Sequence, residues 1–309
     1  MSEVQFGIGL RRLDDVAANA RQAEALGYDF LSTGEHVFFY GPTGNGLISL
    51  AAAAGATSHI KLMSTITLVP LYPAALLAKQ VAGLDVVSRG RFNLGVGVGG
   101  EFAQEFEACG VPVAERGART NEALQIMKRL WTEDDVSFDG RFTKLTGVTL
   151  NPKPVQKPHP PIWISGRSEA AMRRCARYGN GWLPYMYTPE KLGQSLESIA
   201  RFANDLERES HVQPGLFIFF AVHEDREQAI KMATDRLSLQ YNQDFSKLVG
   251  RYALAGNPDD CIARLREYVD SGASTIIFNS ACPNRYMAEN EELLAKEVLT
   301  RFRDSAPPK

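Results

Sequence analysis

Four cysteines in 309 residues, none paired as C-x-x-C, give no framework for disulfides or for a thiolate metal site. Cys109, Cys175, Cys261 and Cys282 are expected to be reduced thiols, mostly buried, in a cytoplasmic protein. No apolar run approaches membrane-spanning length, and the opening MSEVQFGIGLRRLDD lacks the basic-then-apolar order of a secretory leader. Charge of one sign is missing too: 34 Lys plus Arg against 36 Asp plus Glu leave −2, with no long block of either. Nucleic acid and an anionic membrane are therefore not the expected partners.

Several catalytic signatures are also absent. H-E-x-x-H does not occur, and neither does the G-x-S-x-G elbow. What the chain does have is alternation from end to end. Apolar runs at 4–10, 30–36, 60–69, 91–98, 161–166, 181–186, 216–222 and 274–280 are each followed by amphipathic helical sequence. Continuous apolar strands alternating with helices predict a parallel sheet covered by helices. Eight such units in this length predict an α/β fold, a (β/α)8 TIM barrel forming one domain over 1–309. A doubly wound sheet is the competitor, but no composition shift marks a boundary between domains.

One stretch, 133–160, breaks the alternation. It has hairpin-like periodicity and a proline-rich end, and reads as an insertion between strands four and five, lying over the barrel mouth. Residues 239–256 read as a second excursion. The helix at 74–88, AALLAKQVAGLDVVS, has too few polar residues for a solvent-facing barrel helix and predicts a homodimer interface.

Barrel enzymes work at the C-terminal strand ends. No lysine stands there, which argues against Schiff-base chemistry, and a single carboxylate–imidazole pair is too small a ligand set for a metal. Strand two ends at Glu35-His36, and His36 is the candidate for proton transfer. His59 and His211 fall in connecting segments and His159 in the proline-rich approach to strand five. Strand four ends in the run Gly95-Val96-Gly97-Val98-Gly99-Gly100. That run satisfies G-x-G-x-x-G, but it closes the fourth strand and has helix, not an acid-ended strand, some 20 residues later. The nicotinamide reading is therefore disfavoured. Either the glycines permit a tight strand exit or they let a cofactor ring approach the backbone. Strand five runs through Gly166 and Arg167 into a helix capped by Ser168, which serves either as a plain cap or as a phosphate site. Glycine, hydroxyl, aromatic and one histidine describe a surface for a planar cofactor with its own reactivity. Tyr40, Tyr72, Tyr185 and Tyr187, with 133–160, are candidates to line an aromatic substrate pocket.

The chain resembles the bacterial luciferase-like superfamily of reduced-flavin monooxygenases and F420-dependent oxidoreductases. LSTGEH (31–36), TLVPLYPAALLAKQVAGLDVVSRGRFNLGVGVGG (67–100), FEACGVPVAERGARTNEALQIMKRLW (106–131) and NPKPVQKPHPPIWISGRSEAAMRRCARYGNGWLP (151–184) carry the match, with LAGNPDDCIARLREYVDSGASTIIF (254–278) weaker. The resemblance implies a barrel with cofactor at the strand ends. It implies a strand-three bulge with a non-proline cis peptide around Thr65, Ile66 and Thr67. Gly97, Val98 and Gly99 would flank the ring, and Gly166, Arg167 and Ser168 would hold the phosphate. It further implies hydride transfer between coenzyme F420 and a small organic substrate. The alternatives are an FMNH2-dependent monooxygenase fed by a separate reductase, and a flavin-binding barrel without turnover. Many relatives have Asp-His where this chain has Glu35-His36, and some have an acid where Gly100 stands, one place before Glu101.

Overall fold

Apolar runs too rich to leave either face wet become strands walled in by helices in the computed structural model, which describes residues 4–208 and 212–305. His211 lies outside the described residues. The first half contains β1 (Gln5–Gly9), α1 (Val16–Ala25), β2 (Phe30–Thr33), α2 (Gly46–Ala56), β3 (Lys61–Ser64), β4 (Thr67–Leu68), α3 (Ala74–Val87), β5 (Phe92–Gly97), α4 (Ala103–Ala108) and α5 (Arg116–Thr132). A hairpin of β6 (Val136–Asp139) and β7 (Lys144–Val148) follows. Then come β8 (Ile162–Ile164), α6 (Glu169–Tyr178), β9 (Gly181–Trp182), α7 (Pro189–Asn204), β10 (Gln213–Val222) and α8 (Arg226–Tyr241). The last stretch contains α9 (Val249–Tyr252), β11 (Ala253–Gly256), α10 (Pro258–Asp270), β12 (Thr275–Ser280), α11 (Met287–Leu293) and α12 (Thr300–Asp304).

The strands β1, β2, β3, β5, β8, β9, β10 and β12 pair in parallel, each with the next, and β12 closes on β1 through Gln5↔Thr275 to Ile8↔Phe278. This is the (β/α)8 barrel. Its outward residues, among them Phe6, Leu31, Leu62, Leu94, Ile164, Phe220 and Phe278, share one buried cluster with the helices. A separate cluster of Phe30, Met63, Trp163, Leu183 and Ile277 comes from the barrel strands and the residue after β9, and fills the interior. Side-chain oxygens start the helices where the sequence places them: Asn45 accepts from the Ile48 amide, and Asn257 with Asp260 forms a capping box.

Three local features differ from the sequence expectation. The third run divides into β3 and β4, the latter pairing Thr67↔Val96 and Leu68↔Gly97 beside β5. The sixth shortens to two residues because Pro184 has no amide to give a ladder; Tyr185 rejoins β10 by a single bridge to Phe217. The segment 239–256 contributes β11, which extends the sheet alongside Phe219–Val222 of β10.

The insertion does contain a hairpin, but it does not cover the mouth. Glu122 of α5 accepts from the amides of Arg141, Phe142 and Thr143 at the hairpin tip, while Arg129 donates to the Ser137 carbonyl. The hairpin thus lies along α5. Its proline-rich tail continues beside α3, where Gln156 binds Asp85 and the Phe92 carbonyl at the start of β5. A connection leaving the C-terminus of a barrel helix starts at the bottom of the barrel, and this one climbs the outside.

Candidate active site

Glu35, just past β2, is buried and saturated. It accepts from the Leu68 amide at 3.0 Å, the Tyr72 hydroxyl at 2.9 Å and the Gly46 amide at 3.3 Å. Burial pushes its carboxyl above the ordinary range, opposed by those three donors. The Tyr72 phenol is driven up by its own burial and by Glu35. One carboxylate therefore joins the exit of β2, the start of α2 and the β4 segment.

His36, just beyond β2, is partly exposed. Its Nδ1 lies 3.3 Å from both carboxylate oxygens of Glu105, a fully buried residue of α4. The Val37 amide donates to the same carboxylate at 3.1 Å. An acceptor facing Nδ1 favours the tautomer with the proton there and leaves Nε2 as the ring's acceptor nitrogen. The ring is stacked on Phe39 at 4.3 Å and 17°.

The Thr65–Ile66 peptide is cis, between β3 and β4. Thr65 and Ile66 are half-buried, and Thr67 is buried with its hydroxyl unpartnered. The glycine run now has a packing explanation. A Cβ at Gly95 would overlap the Ser64 carbonyl, and one at Gly97 would overlap Ile66 Cδ1. Gly99 and Gly100 turn the chain at φ +62° and +106°. Gly97 is covered by Ile66, so Ile66, Val98 and Gly99 form the accessible part of this wall.

At the exit of β8, Gly166 takes φ +130°, and a Cβ there would press on Ala171 at 2.8 Å. Ser168 caps α6, accepting from the Ala171 amide, and Glu169 occupies the first turn. The first amides of that helix precede any intrahelical bond. Arg167 is exposed and its guanidinium lies 4.8 Å over the Tyr185 ring. Tyr185 donates to Glu101 at 2.5 Å, and burial first, then Glu101, drives its phenol upward. Tyr187 is buried behind Arg167, its hydroxyl 3.4 Å from the Arg167 carbonyl.

Two contributors escaped sequence reasoning. Glu105 is 69 residues from His36 and looks like an ordinary first-turn acid; its one signal was an apolar helix face interrupted by a charge. The Tyr185–Glu101 contact likewise joins loops from different strands. The four cysteines are free, and no three His, Cys, Asp or Glu side chains converge as metal ligands among the described residues. No helix among them is long and apolar enough to cross a membrane.

Residues 3–275 match the luciferase-like monooxygenase family. The chain belongs to that family. The F420-dependent glucose-6-phosphate dehydrogenase of Nocardia farcinica is 26% identical over 98% of this chain and 96% of its own. The FMNH(2)-dependent dimethylsulfone monooxygenase of Pseudomonas putida is 36% identical, over 50% of this chain and 41% of its own. The crystal structure of monooxygenase RslO1 from Streptomyces bottropensis superposes with a TM-score of 0.84 at 25% identity, covering 96% of this chain and 99% of that one. Family membership makes the chain an oxidoreductase- or monooxygenase-type enzyme working with a flavin-type cofactor.

Proposed function

We propose that this chain moves a hydride between coenzyme F420 and a small organic substrate, with His36 as the proton-transfer residue. The observation that carries the reading is the His36–Glu105 pair, which leaves Nε2 as the working nitrogen. Near-full-length similarity to an F420-dependent dehydrogenase supports the choice of cofactor. The deazaflavin, when bound, supplies the hydride. Thr65, Ile66 and Thr67 face its ring, with Gly97 backing Ile66 and Val98 and Gly99 alongside. Gly166, Arg167 and Ser168 hold its phosphate. The residues fit such a group: Thr67 offers a buried, unpartnered hydroxyl, and the Gly166 turn is a backbone cradle beside free helix amides. Glu35 positions the β2 exit, since every contact it makes is to the protein's own donors.

Similarity to FMNH(2)-dependent and other monooxygenases supports a second reading, an FMN enzyme supplied by a separate reductase. Fluorescence-quench titration with F420 and with oxidised FMN decides between them; tight binding of FMN alone overturns the first. We also assign the homodimer to α3, where Leu76, Val86 and Val87 are exposed, with Ile48 exposed on the neighbouring α2. A monomeric mass by light scattering at micromolar concentration removes that assignment.

A further inference from the structure

The two loops around His36 carry rings, and almost no charge. Val37, Phe38 and Tyr40 are 49%, 48% and 62% exposed, an unusual concentration of apolar surface for one strand exit. The rings are mutually ordered. Phe39 lies 5.4 Å from Tyr40, and Tyr40 meets Phe102 edge-on at 5.2 Å, with Phe102 6.4 Å from Phe39. His36 stacks on the near end of this wall. The wall and the histidine are one mechanical unit, because Phe102 precedes the helix whose Glu105 holds both His36 and the Val37 amide. Thr43 adds a bond from its hydroxyl to the His36 carbonyl at 3.2 Å.

Residues 37–45, VFFYGPTGN, and 99–104, GGEFAQ, contain no lysine or arginine. Glu105 is committed to His36 and Glu101 accepts from Tyr185. Arg116, which packs against Gly100, donates to the Val113 carbonyl, and the loops themselves hold no cation to compensate a phosphate or carboxylate removed from water beside His36. An apolar body laid on the ring faces needs no such partner.

We infer that the substrate is a compact, uncharged, hydrophobic molecule, aromatic or alicyclic, with a single carbonyl or hydroxyl group. The Phe39–Tyr40–Phe102 wall holds its body and the oxygen sits at His36 Nε2. This rests on the role given to His36 above.

Isothermal titration with acetophenone, cyclohexanone and glucose 6-phosphate tests it, on the chain alone and on the chain saturated with oxidised F420 or FMN. Both ketones should bind at sub-millimolar concentration in at least one of these states, and glucose 6-phosphate in none. Tyr40→Ala and Phe102→Ala should each weaken ketone binding by roughly tenfold, with cofactor affinity within about twofold of the parent. Unchanged thermal midpoints confirm that the variants fold; Tyr40, the more exposed, is the safer of the two. Binding of glucose 6-phosphate as tight as that of the ketones overturns the inference. So does ketone binding indifferent to both substitutions, or no ketone binding in any state. A chain that binds cofactor but no ketone loses this substrate class and keeps the proposed hydride transfer. A chain that binds ketone but neither cofactor does the reverse.

Discussion

Nδ1 of His36 lies 3.3 Å from each carboxylate oxygen of Glu105, across 69 residues of sequence. The carboxylate has no exposed surface, and its other partner is the backbone amide of the residue after the histidine. The imidazole is thus fixed in tautomer and rotation by one buried group.

His36→Ala should lower turnover by about 10²-fold or more, the usual contribution of a positioned acid or base, while leaving cofactor affinity unchanged. Glu105→Gln should reduce kcat by roughly tenfold with little change in KM, because the amide can offer Nδ1 a donor in place of an acceptor. Steady-state rates paired with cofactor titration check both. Wild-type kcat in Glu105→Gln would show the contact to be structural only.

Arg167→Ala should weaken cofactor binding by roughly tenfold through loss of a charge-assisted contact to phosphate. Ser168→Ala keeps the backbone amide offered to the phosphate and should instead cost about 1 kcal/mol of stability through α6. Fluorescence titration and urea unfolding separate the two effects. Unaltered affinity in Arg167→Ala means the phosphate is held elsewhere.

Gly97→Ala should destabilise the chain by about 1–3 kcal/mol, since the added methyl overlaps Ile66 Cδ1. In an Ile66→Ala background the same change should be close to neutral, a coupling that urea midpoints reveal. Gly95→Ala has no such rescue, because the overlapping atom is the Ser64 carbonyl.

Glu291 lies 3.3 Å from Arg11, yet burial outweighs that cation and pushes its carboxyl up to about 8 from the ordinary 4.5. Between those values the folded chain holds a proton that the unfolded chain releases. Stability therefore falls as pH rises through the window, and levels off above it. The melting temperature should be several degrees lower at pH 8.5 than at pH 6, and Glu291→Gln should flatten that slope. An equal slope in the variant would assign the pH dependence to other groups.

The barrel was legible in the sequence because its strands are apolar on both faces and its helices carry their own start signals. Asn257-Pro258-Asp259-Asp260 is a helix start on paper and a capping box in space. His36 was legible as a histidine at a strand end beside a carboxylate, although His223 follows β10 in a similar way. Its partner Glu105 was not, because no periodicity relates position 36 to position 105. The hairpin within 133–160 was visible in its alternation. Its place was not, since the contact that fixes it, Glu122 to the tip amides, is a tertiary one. The glycines at 95 and 97 read as a tight strand exit or the approach of a cofactor ring; in the structure the Ser64 carbonyl and the Ile66 side chain lie where their Cβ atoms would be.

Glu35 and Glu105 fasten residues 35–37 to the barrel from below and from the side, and the rings begin immediately afterwards. The chemistry and the selectivity of the site therefore sit on adjacent stretches of chain, coupled where Phe39 stacks on His36 and Thr43 donates to its carbonyl. Exposed positions of the loop outside those two contacts, such as Phe38 and Tyr40, can be exchanged while Glu105 keeps its hold on the histidine. A lineage built this way can change what it acts on by replacing a few exposed residues, and a designer can graft there with the barrel left alone.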